Sequence, residues 1–129
     1  MKGAKELWEA VYASVDAGDF ADVVELCIPE VEIHTASLEK TGAQQLISMF
    51  VQQRGLYLEM DRKVDGIIES ADGSALSAEL TLSGVPKGTG QRVTWNVVET
   101  VRADAGRIVS WHAMLDRTGL VERIRSLQR

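Results

Sequence analysis

A chain of 129 residues can bury a core holding roughly two-thirds of its unfolded surface, and it is short for two domains. Fourteen Lys and Arg against nineteen Asp and Glu leave a net charge of −5, which denies it the positive field a nucleic-acid binder needs. No window approaches the roughly 18 apolar residues of a membrane span, and the start turns amphipathic without a signal-peptide core; one cytoplasmic domain is expected. The one cysteine, Cys27, cannot form an internal disulfide, and its place in an apolar row predicts a buried small hydrophobe rather than a nucleophile.

Leu7, Trp8, Val11, Tyr12 and Val15 recur at helical spacing from about Ala4 to Ala17, and Gly18 stops the run. Asp19 can cap a second helix with Phe20, Val23, Val24, Cys27 and Ile28 on its apolar face, ended by Pro29. Val31, Ile33 and Thr35 then alternate with Glu32 and His34 as a short strand. Thr41 and Gln44 have the spacing of a capping box for a third helix, whose core face is Leu46, Ile47, Phe50 and Val51 and which ends near Gly55.

From Tyr57 the period changes to two, and turn signals at Ala71-Asp72-Gly73, Pro86 to Gly90 and Asp104-Ala105-Gly106 divide four strands. Leu58, Met60, Val64 and Ile68 share a face of the first, and Leu76, Ala78, Leu80 and Leu82 a face of the second. On the third, Thr94, Asn96, Val98 and Thr100 line one side and Val93, Trp95, Val97 and Val101 the other. The fourth, Arg107 to about Asp116, leads into a terminal helix from about Thr118 to Leu127. The expected class is α+β, a curved antiparallel sheet with three N-terminal helices on one face and a short C-terminal helix. The cavity between the layers is the natural place for a small-molecule ligand.

Two stretches carry a family resemblance. Val15-Asp16-Ala17-Gly18-Asp19-Phe20 followed by Pro29 to Thr35 resembles the opening of the ketosteroid isomerase and SnoaL-like polyketide cyclase families. Gly106 to Trp111 with Asp116-Arg117-Thr118-Gly119-Leu120 is similar to the closing strand and helix of SnoaL-like proteins and limonene epoxide hydrolases. The resemblance, to the nuclear transport factor 2-like superfamily, implies a cone-shaped fold, usually dimeric, with a deep apolar pocket. It places Thr35 where the isomerases carry a carboxylate base, Val11 where they carry a tyrosine, Val98 where they carry an oxyanion-stabilising acid, and Ala113 where the epoxide hydrolases carry an aspartate. Only the SnoaL-like Asp-x-x-Gly-Leu pattern finds its carboxylate, at Asp116.

The candidate catalytic groups are therefore Asp116, either a pocket acid or the cap of the terminal helix, and His112, either a proton shuttle or a surface residue. Trp8, Tyr12, Thr35, Phe50, Met60, Asn96 and Trp111 are the candidate ligand contacts, with Asn96 orienting the ligand and Glu99, on the opposite face, turned to solvent or a partner. Arg62 can clamp an acidic group or merely end a strand. No metal or cofactor is implied. Trp95 and Val97 on the outer sheet face predict a homodimer. The expected function is binding of a mostly apolar organic molecule, with cofactor-free isomerisation, cyclisation or hydrolysis; the alternatives are a non-catalytic binder and a dimeric interaction module.

Overall fold

The computed structural model describes residues 1–35, 38–115 and 117–127. Helix α1 (Ala4–Ala17) buries Leu7, Trp8, Val11, Tyr12 and Val15 along the expected stripe, and Gly18 ends it in the left-handed region at φ 73°, where its N–H reaches the Val15 carbonyl. Helix α2 (Ala21–Leu26) is only six residues long. Cys27 and Ile28 do not continue it, because strand β1 (Cys27–Thr35) starts there and pairs with the last strand. The register of that pairing shifts between Cys27 and Glu32, the stretch that holds Pro29, which has no N–H to offer a ladder. Strand β2 (Leu38–Thr41), which the pattern did not suggest, returns as a hairpin on β1. Thr41 therefore belongs to a strand, and helix α3 (Ala43–Leu56) begins at Gly42 without a side-chain cap. Leu46 and Phe50 are buried as expected, Val51 is exposed, and the helix runs through Gly55.

Strands β3 (Tyr57–Glu69), β4 (Ala75–Pro86), β5 (Val93–Asp104) and β6 (Arg107–Met114) form the expected antiparallel meander, and helix α4 (Arg117–Leu127) closes the chain. The sheet order is β2-β1-β6-β5-β4-β3, with β1 parallel to β6 and every other pair antiparallel. Helix α1 packs on the inner face against β4, with its buried Leu76, Ala78, Leu80 and Leu82, and against β5 and β6, while α3 packs against β1 and β3. No helix among the described residues is long and apolar enough to cross a membrane.

Two departures matter for function. Trp95 and Val97 lie on the inner face, each only 4% exposed, so the homodimer expectation loses the residues on which it stood. The row Leu58, Met60, Val64 and Ile68 is also broken, because register shifts between Leu58 and Asp61 and between Val64 and Gly66 each insert an extra residue. At the first, Glu59 takes φ 51°, unusual for a side-chain-bearing residue, and parity flips. Leu58 and Ile68 are left exposed, while Met60 and Arg62 turn inward.

Tyr57 lies so close to β4 that Gly84 cannot carry a side chain: a Cβ there would stand 3.1 Å from Tyr57 Cβ and 3.3 Å from Met60 Cγ. Gly84→Ala is expected to cost about 1–3 kcal/mol through overpacking, measured by urea denaturation. An unchanged midpoint would show that Tyr57 is not held against β4.

Candidate active site

The site is built on α1 and β5. Trp8 and Tyr12 are one helical turn apart and so project from the same side of α1. Across from them on β5, the inward row Val93, Trp95, Val97, Glu99 and Val101 contains a single charged residue. Glu99 is 2% exposed. The Trp8 indole N–H donates to its Oε1 at 3.0 Å, and the Tyr12 hydroxyl lies 2.7 Å from Oε1 and 2.8 Å from Oε2. The rings form a tight collar: Tyr12 meets Trp8 and Phe50 edge-on, with centroids 5.3 and 5.5 Å apart, and leans on Trp111 at 6.0 Å.

Burial pushes the Glu99 carboxyl above its ordinary value of 4.5, against the opposing pull of the Tyr12 and Trp8 hydrogen bonds and of the Arg62 charge. The Trp111 indole N–H is near enough to favour the carboxylate, yet it completes no hydrogen bond of acceptable geometry. Tyr12 is held well above its ordinary value by burial and by the adjacent carboxylate, so it remains a neutral phenol. Of the two titratable groups in this collar, Glu99 rather than Tyr12 is the one suited to exchange a proton.

Two chambers flank Tyr12. One, of about 500 Å³, is bounded by Glu99, Trp95, Val97, Ala113, Leu115 and Leu120, with Thr35 of β1 and Gln45, Ser48, Gln52 and Gln53 of α3 as its polar lining. The other, of about 520 Å³, shares Tyr12, Phe50, Gln53, Tyr57 and Leu82 with the first and adds Asp16, Arg54, Met60 and Arg62. The Arg62 guanidinium sits 4.0 Å above the Tyr12 ring and grips Asp16 at 2.7 and 3.2 Å.

The structure thus brings Tyr12, Thr35 and Phe50 to the first chamber and Met60 to the second, while Trp8 and Trp111 are buried behind the walls. Asn96 is not at the cavity: it is exposed on the outer face, accepting a hydrogen bond from Thr81 at 3.2 Å. Glu99 takes the inward place that Asn96 was expected to hold. His112 also stands on the outer face, stacked on His34 with centroids 4.2 Å apart, so it is no shuttle for this cavity. Partial burial, reinforced by the His34 and Arg102 charges, keeps its imidazole below the ordinary value. Asp116 lies outside the described residues. Cys27 is buried, its thiol pushed up to about 11 by burial. Of the two positions that the resemblance matched to the isomerases, Val11 is plain core and Val98 faces outward; the hydrogen-bonded pair is made by their sequence neighbours Tyr12 and Glu99.

A family model described as the SnoaL-like domain matches residues 8–111. No curated protein matches the chain. Among solved structures it is similar to an NTF2-like protein from Burkholderia thailandensis, at 20% identity and TM-score 0.80, covering 96% of this chain and 98% of that one. It is also similar to TerC co-crystallised with polyporic acid, at 18% identity and TM-score 0.77 over 95% and 98% of the two chains. An LEH-like epoxide hydrolase from M. tuberculosis aligns at 22% identity and TM-score 0.68 over 96% and 93%. The fold is accordingly the cone-shaped NTF2-like one, with an unclosed six-stranded sheet.

The raised Glu99 value has a definite sign for stability. Between 4.5 and the higher folded-state value the folded chain holds more protons than the unfolded one, so stability falls as pH rises through that interval. His112, held below its ordinary value, contributes with the opposite sign, which makes the difference between wild type and Glu99→Gln the informative quantity. That difference should shift in favour of the variant as pH rises from about 4.5 toward neutrality, read from urea midpoints. A difference independent of pH would mean that Glu99 ionises as freely folded as unfolded.

Proposed function

Because the chain belongs to the SnoaL-like domain family, we propose that it binds a small, mostly apolar organic molecule in the chamber over Glu99 and acts on it by cofactor-free acid–base chemistry. Glu99 carries the proton in this reading, Tyr12 and Trp8 hold the carboxylate in place, and the reaction is an isomerisation, cyclisation or hydrolysis. The observation that carries the proposal is a carboxyl 2% exposed, raised in proton affinity, bordering a cavity large enough for a fused-ring molecule. Similar structures include one described as an epoxide hydrolase and one co-crystallised with polyporic acid, which supports a small-molecule role for this chamber.

One observation favours a second reading. Both Glu99 oxygens already accept hydrogen bonds from α1, so the carboxylate can serve as a structural anchor in a non-catalytic binder. Proton exchange separates the two.

With β-tetralone, an enolisable fused-ring ketone, in deuterium oxide, acid–base chemistry at Glu99 predicts protein-dependent deuterium incorporation. Glu99→Gln should lose about 100-fold or more of it, as expected for removal of a general base. Tyr12→Phe, which keeps the ring but not the hydroxyl, should retain part. Asp116→Asn in the same assay tests the carboxylate that the sequence pattern favoured. Exchange by Glu99→Gln at the wild-type rate would remove Glu99 from the chemistry and leave the binder.

A further inference from the structure

The second chamber is of different character from the first, and its difference is built by the chain rather than left over by packing. The bulge at Glu59, with its φ of 51°, is what turns Arg62 from the outer face to the interior. Once inside, Arg62 pairs across the sheet with Leu82, a buried aliphatic position that gains nothing from a neighbouring cation. Its guanidinium carbon stands 4.0 Å from the centre of the Tyr12 ring, and of its five N–H groups two engage Asp16. Arg54 reaches the same chamber from the last turn of α3; it donates to the Val15 carbonyl at 3.0 Å and pairs with no carboxylate among the described residues.

The acids of the chamber are disposed to match. Glu59 and Asp61 are drawn to Arg92, at 3.3 and 3.5 Å, and Arg92 is itself fixed to Ser83 on the outer face. Asp16 is the one acid facing Arg62, and its side chain is 60% exposed. The pair is bidentate and the Arg62 side chain is only 26% exposed, so an incoming oxyanion has to compete with Asp16 for the guanidinium.

We propose that this chamber is an anion subsite, and that the ligand is an amphiphile with an apolar ring body over Glu99 and an oxyanion group, a carboxylate or sulfonate, held by Arg62 and Arg54. The inference rests on the reading of the first chamber as the binding site, and extends it to the ligand's class. The five residues common to both chambers make them neighbours, and we take the two as adjoining parts of one site. With a net charge of −5 the chain has no general attraction for anions, and preference for one must come from these two arginines.

Two fluorescent probes that differ only by a sulfonate, anilinonaphthalene sulfonate and the neutral N-phenylnaphthylamine, test it. The wild type should hold the sulfonate about tenfold more tightly, as a charge-assisted hydrogen bond predicts. Arg62→Gln should bring the two to near parity, and Arg54→Gln should cost about two- to fivefold in sulfonate affinity. In both variants unchanged binding of the neutral probe reports an intact fold. Asp16→Asn gives the sharpest outcome: freed of its competitor, Arg62 should bind the sulfonate about two- to fivefold more tightly with no change for the neutral probe. Equal affinities in the wild type, a weaker sulfonate in Asp16→Asn, or parallel losses of both probes in the arginine variants would overturn the subsite. Sulfonate preference alongside wild-type exchange by Glu99→Gln would keep the subsite and remove the catalytic reading. The neutral probe bound without sulfonate preference, with exchange lost in Glu99→Gln, would do the reverse.

Discussion

A buried carboxylate ties the first helix to the sheet. Glu99 accepts from the Trp8 indole and the Tyr12 hydroxyl, groups one turn apart on α1, and all three can meet only if the helix crosses β5 at one height and one rotation. Hydrophobic burial alone would tolerate some sliding of α1, whereas an unmet carboxylate in this interior would not. The rest of the interior follows from that placement. Phe50 from α3 and Trp111 from β6 close around Tyr12, and the space left beyond them becomes two chambers rather than a filled core.

Tyr12 consequently has two environments. Its hydroxyl belongs to the apolar side, where it steadies Glu99, and its ring face belongs to the side where Arg62 rests. The Arg62 charge favours the ionised form of both Glu99 and Tyr12, while burial opposes it for both. For Tyr12 burial and the adjacent carboxylate win by a wide margin. For Glu99 burial also prevails, against the Tyr12 and Trp8 hydrogen bonds and the Arg62 charge.

The helical stripe of α1, the meander and the terminal helix were legible because they rest on periodicity sustained over ten or more residues. Three features were not, each for a local reason. Cys27 and Ile28 extend a helical pattern by one turn, and only the strand waiting beside them at Ile108 decides against it. The faces of β3 cannot be read by counting in twos, because two bulges each add a residue and the sequence does not announce them. Glu99 was assigned to solvent or a partner together with its row, because the side of β5 carrying Trp95 and Val97 was read as the outer one and the side carrying Asn96 as the cavity's. That lone acid in an apolar row was the available signal, and the polarity of Asn96 on the other face drew attention away from it.

The balance at Glu99 also makes the chamber responsive to what enters it. An apolar ligand against Glu99 removes the little solvent contact that its 2% exposure leaves and does not replace the Trp8 and Tyr12 bonds. Desolvation, already the largest influence on Glu99, then grows with nothing added against it. Binding of an apolar molecule and protonation of Glu99 therefore favour one another, and by linkage each must strengthen the other to the same degree. An oxyanion docked at Arg62 acts in the same direction, since it neutralises the cation that otherwise favours the carboxylate. A ligand filling both chambers therefore pushes Glu99 further in the direction in which burial already moves it, toward the protonated form.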